Sequence, residues 1–149
     1  MKVLEISKVF RVRCGHKLSK LPLDHKCRNP HGEYYSITLY FRTTNREAEK
    51  VLTTPPAMLV DFGDIKKDFK EIESQLDHHF LVWEQDEAIE VFEHLQKAGY
   101  AIKILPMPPT AEYLAFWVYN EMKKKPSGKY LYKVCVEESK DNYACYSEE

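Results

Sequence analysis

The sequence predicts an α+β domain over residues 1–149, built as an antiparallel sheet with helices packed on one face. Strand-like alternation stands near both ends of the chain, and helical spacings are gathered between them. Both faces of the strand segments also carry sizeable side chains, many of them drawn from the ten tyrosines. A sheet occupied on both faces while helices cover only one needs a second cover, which other copies of the chain would supply.

Taken in order, Leu4, Ile6, Phe10, Val12 and Cys14 alternate mostly on even numbers and predict a strand over 3–14 with one buried face. A second strand over 34–43 sets Tyr35, Ile37, Leu39 and Phe41 against Tyr34, Ser36, Thr38 and Tyr40. The stretch between, Gly15 to Pro30, is rich in Lys, Pro, Asp and His and too long for a tight hairpin. Loops of that length are often functional. After Pro55-Pro56, the recurrence of Ile65, Phe69, Ile72 and Leu76 predicts a helix from Asp64. A second helix runs from Asp86 as N-cap to Gly99 as stop, burying Ala88, Ile89, Phe92 and Leu95. A third starts at Thr110 after Pro108-Pro109, uses Leu114, Trp117, Val118 and Met122, and ends at Pro126-Ser127-Gly128. Residues 100–105 read as a short edge strand. The last strand, 130–138, sets Tyr130, Tyr132, Val134 and Val136 on one face.

Composition removes several classes of function. Lysine and arginine total 22 against 23 acidic residues, so no basic field draws in nucleic acid or an anionic membrane. No stretch reaches the ~20 apolar residues that cross a bilayer, and charges interrupt the N-terminus where a signal peptide would be apolar. The expected location is the cytoplasm, where Cys14, Cys27, Cys135 and Cys145 are expected to be free thiols. The five glycines stand far apart, which excludes a dinucleotide fingerprint and a Walker loop. Asp61-Phe62-Gly63 spells a kinase magnesium motif but lacks the glycine loop and catalytic loop that give it meaning.

Candidate chemistry gathers around the second strand. In an extended chain, residues i and i+2 project to one face, so His31 and Glu33 stand side by side at its start. If the first two strands pair antiparallel, His16 joins them. Three N/O ligands with one open position form the arrangement of a catalytic zinc. The alternative is a pair of solvated loop histidines beside a surface acid. Cys27 lies four residues before His31. A thiol near a divalent cation can ionise and act as base or nucleophile, whereas a lone cysteine packed under a loop is inert. Asp77-His78 suits a carboxylate-oriented proton shuttle. Thr110 caps a helix whose first turn holds Glu112. Glu138 shares the parity of Val134 and Val136, so it needs a lysine partner or a ligand with N–H donors.

Six ordered segments resemble the 6-pyruvoyltetrahydropterin synthase / 6-carboxytetrahydropterin synthase family. They are Cys14-Gly15-His16-Lys17-Leu18, Cys27-Arg28-Asn29-Pro30-His31-Gly32-Glu33-Tyr34, Val60-Asp61-Phe62 with Ile65-Lys66, Leu76-Asp77-His78-His79-Phe80-Leu81, Pro109-Thr110-Ala111-Glu112, and Val134-Cys135-Val136-Glu137-Glu138-Ser139. The resemblance implies the tunnelling fold, in which subunit sheets join into a barrel as a trimer or hexamer. By the same resemblance His16 and His31 match zinc ligands and Cys27 the catalytic cysteine. Asp77 and His78 match a proton relay, and Thr110, Glu112 and Glu138 match positions around the pterin. Glu33 departs from the pattern, since the family has a third histidine there; carboxylate oxygen also ligates zinc, so a His-His-Glu site is expected.

The short spacing from Cys27 to His31 resembles the bacterial 6-carboxytetrahydropterin synthases. The implied activity is zinc-dependent cleavage of the side chain of 7,8-dihydroneopterin triphosphate, feeding 7-deazaguanine (queuosine-type) synthesis. The alternatives are 6-pyruvoyltetrahydropterin formation at the same site, a related side-chain lyase, and a non-catalytic pterin-binding paralogue whose metal site has changed through Glu33.

Overall fold

A computed structural model describes residues Met1–Glu149. The long alternating segments form β1 (Glu5–His16) and β2 (His31–Arg42), paired antiparallel from Glu5 opposite Arg42 to His16 opposite His31. A short 3-10 turn, Lys26–Arg28, lies in the loop between them. Then follow α1 (Ala48–Leu52), α2 (Phe62–Leu76), β3 (Phe80–Trp83), α3 (Ile89–Lys97), β4 (Ile102–Leu105) and α4 (Ala111–Lys123). A second 3-10 turn, Pro126–Tyr130, leads into β5 (Leu131–Ser139) and β6 (Asn142–Ser147). The six strands form one sheet in the order β4-β3-β1-β2-β5-β6.

The β1-β2-β5-β6 portion is antiparallel, as the sequence predicts, whereas β3 and β4 add parallel beside the site end of β1. Parallel neighbours need a crossover, and α3 supplies it between β3 and β4. Residues 100–105 do contain an edge strand, β4.

One face of the sheet holds the core. Phe10, Val12 and Cys14 of β1, Tyr35 to Phe41 on odd numbers of β2, and Val134 and Val136 of β5 meet Ile65, Phe69, Ile72 and Leu76 of α2. Leu114, Ala115, Val118 and Met122 of α4 complete it. Phe69 is fully buried and stacks on Phe10 with ring centroids 4.0 Å apart. Phe69→Ala is therefore expected to cost about 3–5 kcal/mol in urea unfolding. A loss below about 1 kcal/mol would mean that the helix layer is not packed as described.

Local chemistry moves several boundaries. Asp61 is the N-cap of α2, its side chain accepting from the Gly63 N–H at 2.7 Å, so the Asp61-Phe62-Gly63 tripeptide is a cap. α3 starts at Ile89 and not at Asp86, because Asp86 is buried in an ion pair and its Oδ1 takes the Ala88 N–H in a turn before the helix. Of the four side chains expected under that helix, only Phe92 is buried. On β5, Leu131 lies opposite Phe41 and Lys133 opposite Tyr40, so Tyr132 is an extra residue that breaks the alternation. Leu131 therefore takes the core position, and the Tyr132 ring lies outside, 4.0 Å from the Arg42 guanidinium carbon.

The expectation of four free thiols holds for Cys14 and Cys27 and fails for Cys135 and Cys145. Those two face each other across β5 and β6 and form a disulfide. The pairing depends on β6, which the sequence pattern did not reveal. No helix is long and apolar enough to cross a membrane.

Candidate metal centre

The full-length pairing of β1 with β2 carries the ladder into the segments read as loop. His16 ends β1 opposite His31 at the start of β2, and Glu33 follows two residues later on the same face. The three side chains bring one ligand atom each to within 4.8 Å of one another. His16 Nε2 and His31 Nε2 are 2.9 Å apart, and Glu33 Oε1 lies 3.6 Å from the first and 3.2 Å from the second.

The other ring nitrogens fix the tautomers. His16 Nδ1–H donates to the Pro109 carbonyl at 2.8 Å, and His31 Nδ1–H donates to the Asn29 carbonyl at 2.7 Å. A neutral imidazole carries one N–H, so both Nε2 atoms present lone pairs to each other and to a carboxylate. Burial lowers the proton affinity of His16, reinforced by nearby His31 and opposed by the Pro109 hydrogen bond and Glu33. Three acceptors converging without a donor repel one another unless a cation sits between them. Two imidazole nitrogens and one carboxylate, each imidazole oriented through its other nitrogen, suit zinc in residue type and number.

Tyr35, which the sequence reading placed only in the core, belongs to this group. Its hydroxyl lies 3.1 Å from His16 Nδ1, and its ring meets the His16 ring edge-on. Burial raises its proton affinity, with smaller contributions from the nearby carboxylates of Glu138 and Glu33. The signal was present, since Tyr35 has the parity of His31 and Glu33. Pro109 supplies a backbone carbonyl and leaves no trace in a residue pattern.

Glu138 and Glu112 also reach this neighbourhood. Burial raises the proton affinity of Glu138, with smaller contributions from Glu33 and Glu112 and an opposing one from His31. No lysine pairs with it; it is half-buried, at the register shift between Glu137 and Ser139, and not on the fully buried face that its parity predicts. Glu112 is exposed in the first turn of α4. Thr110 caps that helix, its hydroxyl accepting from the Tyr113 N–H at 3.1 Å. Cys27 is half-buried in the loop between β1 and β2, with its N–H donating to His25 Nδ1 and its carbonyl accepting from Leu18 N–H.

Asp77 and His78 lie on another side. Asp77 Oδ1 accepts from the Arg13 N–H and Oδ2 from His78 Nδ1–H, both at 2.9 Å. The Arg13 N–H is the largest reason that the Asp77 carboxyl stays below the usual range. His78 has a φ of 60°, uncommon without glycine, and its side chain is 75% exposed. Glu33 and His78 both line a cavity of about 1000 Å³ that His16 and His31 do not reach. Its walls include Phe80, Phe92 and Tyr100, and Gly15 and Gly32, paired in register, also line it. A Cβ at Gly15 would come within 2.7 Å of the Phe80 ring, whereas Gly32 faces open space.

The six-stranded fold has solved counterparts. Caenorhabditis elegans 6-pyruvoyl tetrahydropterin synthase superposes with a TM-score of 0.71 at 22% identity, covering 100% of this chain and 98% of that one. An uncharacterized protein of Wolinella succinogenes superposes with a TM-score of 0.81 at 18% identity, covering 100% of both. At those identities the likeness establishes the fold. In sequence, 6-carboxy-5,6,7,8-tetrahydropterin synthase of Aquifex aeolicus is 28% identical over 136 residues, 81% of this chain and 80% of that protein. The Haemophilus influenzae protein of the same name is 28% identical over 123 residues, 81% of this chain and 83% of that one. The 6-pyruvoyl tetrahydropterin synthase family profile matches residues 5–149, and the chain belongs to that family.

Proposed function

We propose that the protein is a zinc-dependent 6-carboxy-5,6,7,8-tetrahydropterin synthase acting on 7,8-dihydroneopterin triphosphate in 7-deazaguanine (queuosine-type) synthesis. The observation that carries this reading is the convergence of the His16, His31 and Glu33 lone pairs in a chain whose curated relatives bear that name. In this reading the enzyme is cytoplasmic and works as a trimer or hexamer whose sheets join into a barrel.

His16, His31 and Glu33 would hold the zinc, which when bound supplies Lewis-acid polarisation of the substrate's side-chain oxygens. Cys27 removes a proton from the side-chain carbon. The Asp77-His78 pair returns a proton at the opposite end, with Asp77 holding His78 by the Nδ1–H bond and leaving its other nitrogen free. The high exposure of His78 suits action across a subunit boundary. Glu138 accepts hydrogen bonds from the N–H edge of the pterin, with Glu112 and Thr110 beside it.

Because hydrogen bonds from N–H donors to an ionised carboxylate are among the stronger ones, Glu138→Gln is expected to raise KM by at least about tenfold. An unchanged KM in steady-state kinetics would remove Glu138 from the pterin site. The 6-pyruvoyl product is the second reading, supported by the reaction named in the matching family. Incubation with 7,8-dihydroneopterin triphosphate followed by mass analysis separates them. Both readings release triphosphate; the first also requires 6-carboxytetrahydropterin with acetaldehyde, and the second the 6-pyruvoyl compound without aldehyde. Unchanged substrate rejects both and leaves a pterin-binding paralogue.

A further inference from the structure

The loop that carries Cys27 is fastened from both sides to one short stretch between β3 and α3. On its N-terminal side Lys17, buried although charged, donates from Nζ to Asp86 Oδ2 at 2.6 Å and to Glu87 Oε1 at 3.2 Å. The Ser19 hydroxyl donates to the same Asp86 oxygen. Next to Cys27 on its other side, Arg28 Nε lies 3.9 Å from Glu87 Oε1. Within the loop, the Leu18 N–H donates to the Cys27 carbonyl at 2.8 Å.

Asp86 is itself held in place. Its other oxygen accepts the Ala88 N–H at 2.7 Å. Burial works against its charge, but the hydrogen bonds from Lys17, Ser19 and Ala88 prevail, and its carboxyl stays below the usual range. A buried ion pair adds little net stability, because desolvation offsets the attraction, and its best-attested use is to fix one arrangement among several. Here the arrangement fixed is that of a loop with no regular structure beyond one 3-10 turn.

We propose that Asp86 and Glu87 are positioning residues for Cys27, clamping both flanks of its loop so that the sulfur keeps one position. The proposal rests on the reading of Cys27 as the group that takes the substrate proton. Small displacements of a reacting group cost large factors in rate, so the clamp acts on kcat more than on substrate binding.

Two variants test it. Asp86→Asn keeps the shape but removes the charge that Lys17 and Ser19 bind. Glu87→Gln acts at a side chain 41% exposed and so carries little risk to folding. Each is expected to lower kcat about tenfold with KM for 7,8-dihydroneopterin triphosphate unchanged. Iodoacetamide labelling at Cys27, mapped by peptide mass, is expected to run about fivefold faster as the loop loosens. Wild-type kcat and wild-type labelling in Glu87→Gln would overturn the clamp, even if Asp86→Asn fails to fold. Should the native protein not turn over the pterin, the functional reading fails separately. The labelling rate then decides the clamp alone, and equal rates in native protein and Glu87→Gln reject it.

Discussion

Cys27→Ala is expected to leave a folded, metal-binding protein whose kcat is at least about 10²-fold lower, the usual worth of a positioned general base. Alanine retains the main-chain contacts of Cys27, its N–H donating to His25 Nδ1 and its carbonyl accepting from the Leu18 N–H. The side chain is half-buried, lies outside the main core cluster, and makes no hydrogen bond that would be lost. Stability and metal content therefore report on the scaffold while turnover reports on the sulfur. Circular dichroism, elemental analysis and steady-state kinetics on one preparation make the comparison. Full activity would assign proton removal to another group.

His31→Ala is the second large effect, and it differs in kind. His31 contributes one of the converging lone pairs and is 28% exposed, so truncation removes a ligand and little packing. Loss of partners that merely orient a ligand weakens metal binding by about 10–100-fold, so loss of the ligand itself is expected to exceed that range. Turnover falls to background with the metal. The metal-free variant and the chelated native protein are expected to melt alike, because the core side chains of β1, β2, α2 and α4 do not include His31. Retention of stoichiometric zinc in His31→Ala would place the metal elsewhere.

The alternation of β1 and β2 fixed their buried faces well enough that antiparallel pairing alone brought His16 to His31, and period two brought Glu33. The convergence of these three side chains was legible because it depends on one pair of strands. What escaped depends on partners far apart in the chain or on small departures from periodicity. Lys17 and Asp86 are separated by 69 residues, and each reads alone as a surface charge. The extra residue at Tyr132 shifts parity within β5, so counting placed an aromatic ring where Leu131 sits. β3, with four residues, gives alternation too little length to register, and β6, with six, exposes most of its residues. The Cys135–Cys145 bond was invisible for the same reason. Asp77-His78 was recognisable as a pair, but the place of His78 on the cavity wall follows from contacts of the pair with the Arg13 main chain.

X-ray absorption at the zinc edge, on protein purified without chelator, bears most directly on the central claim. About one zinc per chain is expected, with nitrogen and oxygen neighbours at about 2.0–2.2 Å, including two imidazoles, and with Cys27 sulfur outside the coordination shell. Protein without stoichiometric divalent metal, or a sulfur neighbour at about 2.3 Å, would contradict it.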